Sequence, residues 1–369
     1  MSLTTKIQWC DSTVNPTMGC EGCELWTPRV KKCYAGMLHT RFGGVTKGYS
    51  PRFEELTFWP GRMAETAGWP DLTGTKRKDK PWLDGLPRLV FVSDMSDALS
   101  AAVPFDFLEE QVVRTATSAD GQRHQWLWLT KRPERMAELG AVLKAKNIAW
   151  PDNLWAGTSI TTQATTARIK NLLRTGGSET IRFLSVEPQQ GPVDLSPWLP
   201  DLDWVIQGGE SGRGARQFQL PWALDMIRQC REAGVPYFLK QLGSVVFSGG
   251  RRLFFKDNHA GDWSEWPTEI RVRQMPHTGP AGGPGVGDPA GAVAAAPAPV
   301  GPRVPLVVIE PPSNRREAAL KAWETRRRKE QAKKRAEAAR KAWETRRDND
   351  RKRTRSEAAK RAWKTRRGQ

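Results

Sequence analysis

Three of the five cysteines stand close together, in Asn15-Pro16-Thr17-Met18-Gly19-Cys20-Glu21-Gly22-Cys23 and then, nine residues on, Cys33-Tyr34-Ala35. Gly19 and Gly22 permit a tight loop whose amides can point at sulfur. Lys31 and Lys32 precede Cys33 and favour its thiolate. Three thiolates suit a 4Fe-4S cluster with one iron left open. An open iron is what radical S-adenosylmethionine (SAM) chemistry requires. The amino and carboxylate groups of SAM bind it, one electron cleaves the sulfonium, and the adenosyl radical takes a hydrogen from the substrate. A second reading uses His39, which follows Cys33 at a spacing of C-x5-H, so that Cys20, Cys23, Cys33 and His39 make a Cys3His zinc site. Cys10 lies in a strand-like start, and Cys230 shares the apolar face of a helix with Leu224 and Ile227. Packing is expected of both.

The elements that must position these groups recur along the chain. Apolar runs at Leu89–Ser93, Gln125–Thr130, Leu154–Ser159, Ile181–Val186, Trp204–Gln207 and Tyr237–Lys240 read as strands. Helical patterns at Phe107–Ser118, Glu134–Lys146, Gln163–Arg174 and Leu220–Ala233 lie between several of them. A strand with its crossover helix takes about 30 residues, so the expected fold is α/β with a parallel sheet, a partial TIM-type (β/α) barrel. Polar and glycine residues gather just after each strand: Ser93-Asp94-Met95-Ser96-Asp97, Thr130-Lys131-Arg132-Pro133, Gly157-Thr158-Ser159, Ser185-Val186-Glu187-Pro188, Gly208-Gly209-Glu210-Ser211-Gly212 and Lys240-Gln241. Carboxyl ends of parallel strands are where such sheets place their sites.

Charge divides the chain. Lys plus Arg is 58 against 40 Asp plus Glu, a net +18. From 313 to 369 there are 23 basic and 8 acidic residues, a net +15, which leaves the rest nearly neutral. Ten of the 37 residues from 276 to 312 are Pro, a composition expected to form an extended linker. The expected organisation is therefore a catalytic body over 1–275, a linker over 276–312 and a basic tail over 313–369.

The tail repeats at a period of 20, in Arg316-EAALKAWETRR, Ala336-EAARKAWETRR and Ser356-EAAKRAWKTRR. Twenty residues at about 100° each turn successive tryptophans to opposite sides of one continuous helix, so three short helices fit better. Nucleic acid, DNA in the first place, is the partner such a tail implies. Each repeat carries too thin an apolar face for a membrane surface. No apolar run reaches the 18 or so residues of a membrane span, and the start MSLTTKIQWCDS is unlike a signal peptide, so a cytoplasmic protein is expected.

The motifs of the body resemble a known family. Trp9 and Asp11 before Asn15-Pro16, Gly19-Cys20, Cys33-Tyr34-Ala35, Leu129-Thr130-Lys131-Arg132-Pro133-Glu134, Gly157-Thr158-Ser159, Leu184-Ser185-Val186-Glu187-Pro188, Gly208-Gly209-Glu210-Ser211-Gly212, Phe238-Leu239-Lys240-Gln241 and Ile270-Arg271-Val272-Arg273-Gln274 carry the likeness. Over residues 6–276 the chain resembles the phage Gp-type radical-SAM-like family of unknown function. The resemblance implies a partial TIM barrel, a 4Fe-4S cluster, SAM and a phage setting, in which a phage-encoded protein is a further candidate partner. The cysteine order here, C-x2-C-x9-C, departs from the usual radical-SAM order C-x3-C-x2-C. The tail is similar to basic repeats appended to phage DNA proteins.

Together these features lead to the expectation of an iron–sulfur, SAM-dependent enzyme acting on DNA or a DNA-bound partner. Cys20, Cys23 and Cys33 hold the cluster in that reading. Gly208, Gly209, Glu210 and Ser211 approach SAM, and Asp94, Lys131, Glu187, Lys240 and Gln241 line the substrate side. Glu187 facing Lys240 serves either proton transfer or a structural ion pair. Two alternatives stand beside it: a non-catalytic DNA-binding protein whose N-terminal loop is held by zinc, and a nuclease using Asp94, Asp97 and Glu187 for Mg²⁺.

Overall fold

The structure, a computed structural model, describes residues 1–276. The expected linker, beyond Pro276, and the three basic repeats lie outside the described residues. Seven strands form one sheet: β1 (Ser12–Val14), β2 (Arg88–Val92), β3 (His124–Thr130), β4 (Leu154–Ser159), β5 (Arg182–Val186), β6 (Trp204–Gly208) and β7 (Tyr237–Gln241). They lie in sequence order and every neighbouring pair is parallel. The fold is α/β, with a parallel half-barrel at its centre.

Side chains alternate across this sheet as a strand dictates. Val90, Val92, Trp126, Trp128, Leu154, Ala156, Leu184, Val186, Val205 and Leu239 face the helical layer. Leu89, Phe91, Leu127, Trp155, Phe183, Trp204, Ile206 and Phe238 face the concave interior, with Trp9 among them. Trp9 shows that the sheet curls. Its ring centroid is 4.6 Å from that of Phe91 on β2 and 6.3 Å from that of Trp204 on β6. Those strands are four spacings apart, about 19 Å on a flat sheet. One indole can touch both only if the sheet wraps around it.

Both sheet edges are covered by short antiparallel additions. Ser2 pairs with Thr13 of β1, and Arg273 pairs with Phe238 of β7. The Arg273 guanidinium lies over the rings of Trp82, Phe238, Trp263 and Trp266 and donates to the carbonyls of Leu239, Lys240 and Gly261. Covered edges cannot recruit further strands.

The six strands expected from the sequence are present within a residue or so. The seventh, β1, has only three residues, too short to show a period of two. The helix expected over 134–146 is α-helix Pro133–Ala145, and the one over 220–233 is Leu220–Ala233 as expected. Two helical patterns form differently. Residues 163–174 give a 3₁₀ segment, Gln163–Arg168, and then one α-turn, Ile169–Leu172. Thr162 and Thr165 close a reciprocal cap there, which competes with α-helical pairing. The helix expected over 107–118 starts at Phe105 and carries a π-turn, Glu109–Val113. Cys230 is buried in the core beneath Leu220–Ala233, and Cys10 is buried in the concave interior, as expected of packing residues.

Two glycines predict opposite outcomes. A Cβ on Gly157 of β4 would lie 2.3 Å from the Phe183 ring, whereas one on Gly140 in Pro133–Ala145 meets nothing nearer than 3.8 Å. Gly157→Ala should lower stability by about 1–3 kcal/mol through overpacking. Gly140→Ala should raise it by about 0.5–1 kcal/mol through helix propensity. Urea midpoints of the two variants, measured side by side, check both signs.

Candidate functional site

Aromatic rings fill the lower interior, and polar groups gather on the concave face at the carboxyl ends of the strands. Strand alternation places Thr13, Ser93, Lys131, Ser159, Ser185, Glu187, Gly208 and Lys240 around this mouth. Lys240 Nζ is 2.6 Å from Glu187 Oε1, and the Gln241 amide also reaches that oxygen at 3.4 Å. The pair expected from the sequence therefore exists, spanning β5 and β7 across the intervening β6. Gly208 of that middle strand leaves room for it, since a Cβ there would stand 3.1 Å from the Glu187 carboxyl carbon.

On the opposite side, Asn15 clamps the loop after β2. Its amide donates to the Asp94 carboxylate and its oxygen accepts from the Met95 amide at 2.9 Å. Burial pushes the Asp94 carboxyl up, against the pull of the Asn15 amide. Between them, Ser93 adopts a left-handed backbone, φ 74°, and its buried hydroxyl has no partner among the described residues. A serine in that conformation costs on the order of 1–3 kcal/mol, and such strain concentrates at functional sites. No role was expected of Ser93, and no sequence signal marks the strain.

The cysteine loop lies over this mouth and is fastened to several strand ends. Glu21 accepts from the amides of Ala101 and Ala102, both at 3.0 Å. Arg132, after β3, donates to Gly22 O at 2.7 Å, lies 3.8 Å from Cys20 Sγ and pairs with Asp97 at 2.9 Å. Arg168, after β4, holds Glu24 at 2.8 Å, and Thr161 donates to the same carboxylate at 3.0 Å. Lys32 donates to Gly214 O after β6 at 2.9 Å. Burial works against the Glu24 charge, but the Arg168 hydrogen bonds prevail and bring its pKa down to about 2. No local sequence pattern announces any of these fastenings.

Gly19 and Gly22 shape the loop as expected. Both have positive φ, and a Cβ would stand 2.1 Å from Glu55 O and 2.4 Å from Trp26 O respectively. The Gly22 amide points at Cys20 Sγ, 3.4 Å away. The Leu25 amide likewise supports Cys23. Burial pushes the Cys20 thiol up to about 11 and raises that of Cys23, the latter against Lys131. Cys33 is half-buried at the start of α-helix Tyr34–Phe42.

The three thiols share one loop, and two of them receive amide hydrogen bonds, as metal-bound thiolates do. Among the described residues no three His, Cys, Asp or Glu side chains, Cys20, Cys23 and Cys33 included, form a group that could hold a metal ion. His39 does not join the cysteines in such a group, because its ring is buried against Tyr49 and Phe53 and its Nδ1 meets Ala35 O at 2.9 Å. Asp94, Asp97 and Glu187 do not form one either. The Asp97 oxygens are engaged by Thr130 Oγ1, the Lys131 amide, Arg132 and the Leu99 amide. That makes Asp97 the hub of the β3 turn.

The glycine-rich turn after β6 has its own structural logic. A Cβ on Gly209 would stand 2.0 Å from Leu242 O, so the close approach there is by the chain itself. Glu210 Oε2 receives both the Arg216 side chain, at 2.6 Å, and the Arg216 amide, at 2.9 Å. Ser211 is half-buried on the same turn.

The molecule is thus an α/β half-barrel protein with a cysteine loop laid over the polar end of its sheet. Residues 4–335 match the model of a family described as a protein of unknown function, DUF5131, and the chain belongs to that family. No curated protein and no solved structure matches the chain. No helix among the described residues is long and apolar enough to cross a membrane.

The Glu24–Arg168 pair gives a test of the fastening. Its carboxyl is depressed from an ordinary 4.5 to about 2, so its contribution is complete above pH 4.5 and fades as pH falls through 2. Glu24→Gln should speed proteolysis within the loop about fivefold at neutral pH and remove much of the wild-type's acid-induced loosening. Cleavage mapped over residues 20–33 across a pH series is the measurement.

Proposed function

We propose that the protein is an iron–sulfur, SAM-dependent enzyme that acts on nucleic acid at the mouth of the half-barrel. The observation that carries this reading is the cysteine loop, fastened by Glu21, Glu24, Lys32 and Arg132 over strand ends that present Glu187, Lys240 and Asp94. The motif resemblance and this placement together support radical-SAM character.

Cys20, Cys23 and Cys33 would hold the 4Fe-4S cluster. The chemistry such a group supplies when bound is one-electron reduction of the SAM sulfonium, followed by removal of a hydrogen atom from a nearby substrate. This chain's residues prepare the place. The Gly22 amide and Arg132 offset negative charge at Cys20, and Lys131 does so at Cys23. Gly208, Gly209, Glu210 and Ser211 would hold SAM on the turn after β6, which Glu210 fastens through Arg216. Lys240 occupies one Glu187 oxygen and leaves the other to accept a substrate N–H or O–H. Burial raises the Asp94 carboxyl, which suits it to hold a proton. The basic repeats of 313–369 would supply affinity for DNA, tethered by the 276–312 linker.

Anaerobic reconstitution tests the cluster. The protein should turn brown and take up about four iron per chain, and Cys20→Ala, Cys23→Ala and Cys33→Ala should each abolish the colour while Cys230→Ala keeps it. Stoichiometric zinc with no iron uptake would sink the reading. A salt titration tests the tail. Removing 313–369 should cut DNA affinity at least tenfold and flatten its salt dependence, because log K falls by about 0.9 per phosphate neutralised on a duplex. Equal affinity of the intact and shortened chains would assign the tail to something else.

A further inference from the structure

From Trp26 to Phe53 the chain carries six Lys or Arg and no Asp or Glu. This stretch includes part of the cysteine loop and the helix that follows it, so one continuous basic segment borders the mouth. Its charges are largely uncompensated. Arg29, Lys32 and Arg41 are exposed and form no ion pair among the described residues. Lys32 reaches Gly214 O on the β6 loop, which brings the exposed and equally unpaired Arg213 to the same rim.

Apolar groups are interleaved with these charges. Tyr34, Met37 and Arg41 occupy positions i, i+3 and i+7 of helix Tyr34–Phe42 and share one face. Tyr34 is 51% exposed and Met37 43%, an unusual pair to leave open on one helix. Tyr34 does not swing freely, because its hydroxyl donates to the Asp94 carbonyl inside the mouth. An aromatic ring anchored at its polar tip, with the rest of the ring open, is a pre-oriented stacking surface. Strands of nucleic acid without a partner are held by this combination, a basic track for phosphates with aromatic faces for bases. A duplex would keep its bases stacked inside and leave Tyr34 and Met37 without a function.

We infer that the Tyr34–Met37–Arg41 face, with Arg29, Lys32 and Arg213, is a single-stranded polynucleotide track that leads a base to the mouth. It is separate from the basic tail. The inference rests on the proposal that the mouth is the reaction site, and it names the class and physical form of the substrate there.

Full-length protein is titrated with a fluorescent 20-mer of oligothymidine, the matching oligouridine and a duplex, over a salt series. The tail is present in every sample, so differences between variants report the body. Arg29→Gln, Arg41→Gln and Arg213→Gln combined should reduce the log K against log salt slope for the single strands by about 2, at about 0.7 for each phosphate no longer neutralised. Tyr34→Ala should weaken single-strand binding at least about fivefold with the slope unchanged, and Tyr34→Phe, which keeps the ring, should lie between it and wild-type. Stronger binding of oligouridine than oligothymidine would make the strand RNA, and the reverse DNA. Crosslinking with 5-iodouracil oligonucleotides should mark peptide 33–41. An unchanged slope in the triple variant with all crosslinks in 313–369 would overturn the inference. So would equal losses for duplex and single strand. Iron content of each variant is recorded in parallel. Normal iron with no track defect rejects the track alone, whereas absent iron with an intact track defect rejects the cluster reading alone.

Discussion

The half-barrel is arranged around the Trp9 indole. It is 2% exposed and touches rings on β2, β5 and β6 at once. A sheet of seven parallel strands has no reason of its own to curl so tightly. A large flat side chain at the axis supplies one, because apolar strands lower their free energy by closing around it. The cost is visible as well, since the Trp9 ring nitrogen is buried with no partner among the described residues. The rings that complete this layer, Phe91, Trp155, Phe183, Trp204 and Phe238, fill the lower interior. The polar groups of the concave face accordingly gather at the end where the strands finish in serine, glycine, lysine and carboxylates.

That division fixes the character of the upper end. The cysteine loop is attached there mostly by charged groups and backbone hydrogen bonds, through Glu21, Glu24, Lys32 and Arg132. Its apolar contacts form a small separate cluster of Cys20, Trp26, Ala35 and Phe53. A loop fastened in this way sits firmly at neutral pH, yet it can lift without opening the main core.

Much of the architecture was legible because buried parallel strands announce themselves as short apolar runs, and six did. The polar residues behind them, and the Glu187–Lys240 pair among those, followed from where parallel sheets place their sites. The parts that stayed hidden have a common cause. Arg132 meets Gly22 across 110 residues and Arg168 meets Glu24 across 144. No local pattern in a single sequence links such partners. β1 was hidden by its length, and the role of Trp9 by its setting among polar neighbours. The strain at Ser93 is invisible in principle, since serine is common after strands and only the backbone angle distinguishes this one. The positive φ of Gly19 and Gly22, by contrast, was foreseeable, because glycine is the residue that takes such a turn without strain.

Arg273 has a consequence for how the protein is made. Its guanidinium holds the main-chain oxygen of Lys240, whose ammonium in turn holds Glu187. The last strand of the half-barrel is thus fixed by a residue near the end of the body. During synthesis the mouth stays unfinished until position 273 has left the ribosome. Synthesis continues beyond position 276, so the body can close while still tethered. A translation product cut short before Arg273 would carry all five cysteines and all seven strands of the parallel sheet yet lack the brace that sets Lys240.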